Sequence, residues 1–229
     1  MRAPADAMCP VEKTHADSTW GGTCRYVCHV TDWPFAPGGS PFRMKGLAYR
    51  ALYQFVEREI EGGRDAFVAS LPRSHRTFAR QPFMAASWYD LAPVVAMNET
   101  AASMMRMDVD TFMRVRGEAQ AEEDLGGVYS WLLKIASPGA VVGGFPRLTT
   151  RYFDWGGVEV EKLADAHVRI WRLGVPDYFA HWYVAVSVPF MTYAIQKAGG
   201  KGVRIETELS ADAPAHGVRC SKIAFDVRW

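Results

Sequence analysis

At 229 residues, 49% of them hydrophobic, the chain is long enough to bury the core of one domain with a tail. Its 26 basic and 25 acidic residues are interspersed and leave a net charge of +1, which argues against a polycationic nucleic-acid surface. Residues 1–20 lack the apolar run of a secretory signal, so a cytoplasmic home is expected, with Cys9, Cys24, Cys28 and Cys220 held as thiols rather than as a disulfide framework.

Residues 1–41 read as an irregular N-terminal extension, because Pro34, Pro37, Gly38, Gly39 and Pro41 punctuate a stretch without helical period. Within it Cys24, Cys28 and His29, with Cys9 and His15 upstream, have the residue types of a tetrahedral zinc site. A cysteine pair followed by histidine is also similar to covalent haem attachment, although three residues separate these cysteines where that motif has two.

Residues 42–229 read as a single ligand-binding-like α/β domain. Leu47, Leu52, Phe55, Val56 and Ile60 hold helical spacing, and Gly62 with Gly63 supplies the stop. A short helix over 64–71 ends before Pro72. Beyond a loop that ends in Trp88 and Tyr89, a helix is expected from about Leu91 to Met107, with Pro93 in its first turn. Asp108 caps the next helix, on which Phe112, Val115 and Ala119 recur, and a further helix is expected over 125–135. Ser137, Pro138 and Gly139, then Gly143 and Gly144, are expected to break the helical run.

The segment 174–200 is apolar at helical spacing on both faces, so it must be covered on both sides. Residues 178–195 contain no Asp, Glu, Lys or Arg over 18 positions, at the lower edge for a membrane span, but His181, Pro189 and the strands at both ends favour a buried core helix. Around it, 157–163 and 167–173 precede and 203–209 and 221–229 follow as alternating strands, apolar on one face and charged on the other. Asp165 and Ala166 make a tight turn, and 210–217 is expected as a longer hairpin loop. The expected fold is α+β: a helical N-terminal half packed on a β-β-α-β-β unit with a four-stranded antiparallel sheet.

Trp88 with Tyr89, the run 108–133, the run 146–157 and the closing Val227, Arg228 and Trp229 resemble a paralogous family of myxobacterial proteins. More distantly, Met44, Lys45 and Gly46 followed by helices and then β-β-α-β-β are similar to the haem-nitric-oxide-binding domain and the 4-vinyl-reductase-like domain. That resemblance implies an α/β fold enclosing small molecules or acyl chains, or serving in assemblies. It also implies iron held by a histidine on the helix before the sheet; residues 128–147 contain none, so haem is disfavoured at this stage.

Three functions follow. The first is a small-molecule or lipid-binding sensory or regulatory domain without catalysis, with Trp88, Met97, Met104, Met105, Phe112, Trp182 and Phe190 as pocket walls, since methionine and aromatic side chains make adaptable apolar surfaces. The same stripe also reads as solid core. The second is a homodimeric interaction module, favoured by eight tryptophans, or one that meets a signalling partner. The third is an enzyme using Cys220 with His216, or Asp154 near Tyr152, for which nucleophile elbows and phosphate-binding loops are lacking.

Overall fold

A computed structural model describes residues 33–126 and 137–229. In chain order the elements are β1 (Arg43–Lys45), α1 (Gly46–Glu59), α2 (Gly63–Ser70), α3 (Arg73–Arg80), β2 (Trp88–Asp90), α4 (Pro93–Met104), α5 (Val109–Gly126), α6 (Pro138–Tyr152), β3 (Gly157–Ala164), β4 (His167–Pro176), α7 (Asp177–Lys197), β5 (Arg204–Ala215) and β6 (Val218–Arg228). The helices thus fall mainly in the first half, and the second half carries an antiparallel four-stranded sheet in the order β3-β4-β6-β5. Helix α7 is the middle layer. Its sequence is apolar on opposite faces, and it packs on the sheet through β6, β4 and β5 and on α5 from the other side.

The alternation of the strands sets which face meets α7. Val168 and Ile170 on β4 and Ile223, Phe225 and Val227 on β6 are buried, and Val158 and Ile205 pack against the same core from the edge strands. Val160, on edge strand β3, is 40% exposed. On α1 the inward residues are Tyr49, Leu52, Phe55 and Val56, whereas Leu47, expected inward, is 41% exposed.

Two local expectations are corrected, and one short helix had no expectation to meet. The run around Gly143 and Gly144 is helix: Ser137 accepts a hydrogen bond from the Ala140 amide as N-cap, Pro138 occupies the first turn, and the helix continues to Tyr152. The segment 210–217 is no long loop, for the β5–β6 ladder runs on to the pair Ala215 and Val218, and His216 (φ 51°) and Gly217 (φ 78°) alone turn the chain. Two successive left-handed residues are what a two-residue hairpin with matching twist requires. Helix α3, of which only Phe78 and Ala79 are buried, carries too little apolar pattern to be read from sequence.

Helices α5 and α7 come close together at Gly117. A Cβ there would lie 2.7 Å from Pro189 Cγ and 3.2 Å from the Val186 carbonyl oxygen, so the crossing needs glycine for space. Residues 33–41 lie against this domain. The buried Asp90 carboxylate accepts hydrogen bonds from the amides of Gly38 (2.8 Å), Ser40 (3.2 Å) and Ala92 (2.9 Å), and Trp33 stacks on Tyr178 with ring centroids 5.0 Å apart. Among the described residues no helix is long and apolar enough to cross a membrane.

Candidate ligand pocket

A cavity of about 120 Å³ opens where α6, α7 and the inner face of the sheet meet. Its floor is Val158, Ile170, Arg172 and Phe225 from the strands. One wall is α7, whose Trp182, Tyr183, Val186, Ser187, Phe190 and Met191 repeat at the spacing of a single helical face. Facing it are Phe145, Leu148, Thr149 and Tyr152 of α6 with Phe153 beyond its end. Met44, Ala48, Val94, Arg116 and Gln120 close the remaining side. The lining is mostly apolar with a few convergent polar groups, the character of a binding site.

Arg172 is the decisive polar group. Its side chain is 1% exposed, and its guanidinium donates to the carbonyl oxygens of Trp155 (2.8 Å), Gly157 (3.0 Å) and Leu173 (3.3 Å). The Trp155 ring lies 4.3 Å from the guanidinium carbon, in cation–π contact. Among the described residues no carboxylate pairs with it, and its Nε–H has no acceptor. Burial pulls its pKa down, opposed by the phenol of Tyr183, yet a guanidinium stays charged in a protein. A second guanidinium, that of buried Arg116 on α5, reaches the Gln120 side chain (3.2 Å) and the Ala48 carbonyl (3.3 Å).

The residues singled out from sequence are distributed unevenly about this cavity. Trp182 and Phe190 line it. Met97 and Phe112 are fully buried in the continuous core instead, and Met104 and Met105 pack on that core's margin. Trp88 lies on β2 with the Lys45 ammonium 3.7 Å above its ring. Cys9, Cys24, Cys28 and His29 lie outside the described residues. Among those described, no group of three or more His, Cys, Asp or Glu is placed to hold a metal ion.

The side chains proposed for catalysis are committed elsewhere. Cys220 is 3% exposed and its thiol is pushed up by burial, while His216 sits in the hairpin turn with its ring edge-on to Phe42. Asp154 accepts the Arg43 amide at 2.9 Å. The inward Arg172 was legible from β4, since the alternation that buries Val168 and Ile170 puts residue 172 on the same face.

No family model and no curated protein matches the chain. Solved structures do. An Fe(II) unliganded H-NOX protein from K. algicida shares 12% identity over 81% of this chain and 96% of its own, with a TM-score of 0.53. An H-NOX protein from S. oneidensis in the Fe(II)NO state shares 11% identity over 81% and 100%, TM-score 0.52. An oxygen-binding H-NOX domain related to soluble guanylate cyclases shares 10% over 81% and 94%, TM-score 0.55. At these identities the likeness is one of fold. It nevertheless corrects the expectation that haem is disfavoured: the neighbours include an H-NOX protein in which haem distortion has been probed, so the architecture found here is one that carries haem elsewhere. A missing histidine in one stretch is weak ground for exclusion, because iron in haem proteins also takes tyrosine, methionine or cysteine ligands.

Proposed function

We propose that this chain is a sensory ligand-binding domain without catalysis, and that its cavity takes a small, mainly apolar molecule with one acidic end. The observation that carries this reading is Arg172, a buried guanidinium with an unpartnered Nε–H at the wall of an otherwise apolar pocket. Burying a charge without a counter-charge costs several kcal/mol, roughly what a carboxylate arriving with the ligand would recover in part. Trp182 and Phe190 then serve as apolar walls. The size is right for a ring or chain of about six carbons, since an apolar protein cavity of roughly 150 Å³ admits benzene. The fold's likeness to an oxygen-binding domain related to guanylate cyclases supports a module that binds a small molecule and reports it.

Haem is a second occupant that the fold brings into view. The lining offers phenol oxygens (Tyr152, Tyr183) and thioethers (Met44, Met191) toward iron, and Arg172 and Arg116 toward carboxylates. Drug-sized ligands fill roughly 300–1,000 Å³, so a tetrapyrrole would enter only with the cavity enlarged.

Native mass spectrometry of freshly purified protein, with extraction of any released compound, identifies the occupant; a Soret band in the same sample would identify it as haem. Calorimetry with hexanoate tests the acid-binding reading. Binding is expected to weaken at least tenfold in Arg172→Met. Undiminished binding in that variant, or a bare mass together with no hexanoate uptake, would refute the proposal.

A further inference from the structure

The wall that α6 contributes has a composition its surroundings do not require. Gly143 and Gly144 lie in the middle of a fifteen-residue helix with ordinary negative φ, and a Cβ built on either would meet nothing within 4 Å. Neither close packing nor backbone geometry therefore asks for glycine, unlike Gly117, where Pro189 stands in the way. Two residues further on, Pro146 lacks the N–H that would bond the Val142 carbonyl. A single turn of α6 is thus weakened at three positions, and glycine in a helix interior readily leaves helical geometry.

The weak point divides α6 functionally. On its N-terminal side Val142 is 1% exposed and anchors the helix in the core. On its C-terminal side Phe145, Leu148, Thr149 and Tyr152 form the cavity wall, and Leu148 and Thr149 are only half-buried. We infer that α6 is a hinged gate: the segment 145–152 swings from the cavity by bending at Gly143 and Gly144, and ligands larger than the closed cavity bind to that open state. This rests on the acid-binding reading for the ligand, but not for the motion itself.

Opening that bends the glycine pair is penalised by alanine. From the helix propensities of the two residues, Gly143→Ala with Gly144→Ala should reduce the open population about 20-fold. Decanoate, too long for about 120 Å³, should then bind about 20-fold more weakly to the double variant, while hexanoate affinity should stay within twofold. Native-state hydrogen exchange reads the gate without a ligand. In the parent, amides of 145–152 should exchange through a local opening far more populated than the global unfolding that exposes α7, and in the double variant they should slow about 20-fold. Pro146→Ala, which restores an amide donor, should act in the same direction. Exchange of these amides only with global unfolding, or unchanged exchange in the double variant, would overturn the gate whatever decanoate does. Decanoate binding unaffected by the double variant would overturn it as well. Failure of both acids to bind, with the exchange results as expected, would overturn the ligand reading and the gate's role in admission while establishing the bending of α6.

Discussion

A single chemical change, glycine to alanine, should have opposite signs at two helices of this protein. At Gly117 the added methyl would sit 2.7 Å from Pro189 Cγ, and Pro189 cannot rotate away because its ring is closed on the backbone. Separating α5 from α7 by the necessary few tenths of an ångström disturbs the central layer, and overpacking of this kind costs about 1–3 kcal/mol. The helical preference of alanine returns about 0.9 kcal/mol, leaving Gly117→Ala destabilised by up to about 2 kcal/mol. At Gly143 the same methyl meets nothing within 4 Å, so only the helical gain of about 0.9 kcal/mol remains. Urea unfolding should show the midpoint lowered in the first variant and raised in the second, with unchanged m. Melting temperatures should move by about 2–4 °C for each kcal/mol in a domain of this size. Adding Pro189→Ala to Gly117→Ala should recover part of the loss, a coupling of about 0.5–3 kcal/mol expected only for residues in contact. A stabilised Gly117→Ala variant, or additivity with Pro189→Ala, would refute this account of the α5–α7 crossing.

Asp90→Ala should destabilise the fold by about 2–4 kcal/mol, because its carboxylate accepts three backbone amides, and limited proteolysis should then cut within residues 33–41 first. Asp226, with a side chain 12% exposed, has its pKa raised by burial, but the hydrogen bonds from His167 and Arg169 and the charge of Arg228 prevail and hold it below the ordinary value. A depressed carboxyl pKa contributes stability that is present above about pH 4 and is lost as pH falls through the folded value, so Asp226→Asn should flatten the acid limb of stability against pH measured by urea unfolding. Arg172→Met should change stability by no more than about 2 kcal/mol in either direction by the same assay.

The layers were legible because they are periodic. Val168 and Ile170, Ile223, Phe225 and Val227 alternate, and the α7 sequence is apolar on opposite faces, so a helix between a sheet and other helices follows before any coordinate is known. The pocket was less legible because apolar periodicity reports burial and is silent on whether a buried surface touches a cavity. Met97 and Phe112 satisfy the same pattern as Trp182 and Phe190, yet they fill the core. Gly143 and Gly144 misled for a related reason: local propensity marks them as a break, and the anchor at Val142, joined by burial of Phe145 when the gate is closed, keeps the helix intact at a cost of about 1 kcal/mol for each glycine.

Arg172 distinguishes what stability asks for from what it does not. Its guanidinium gains three carbonyl hydrogen bonds and cation–π contacts with Phe153, Trp155 and Tyr183, each worth about 0.5–3 kcal/mol, against a desolvation penalty of several kcal/mol for a buried ion. The gains and the penalty oppose each other, and a methionine of similar length would remove both. A buried ion that carries such a penalty, leaves its Nε–H without an acceptor and stands at a cavity wall is better accounted for by what enters the cavity than by the strands around it. If Arg172→Met instead lost more than about 2 kcal/mol, the arginine would be a structural pin for the β3–β4 junction and its claim on a ligand would fall.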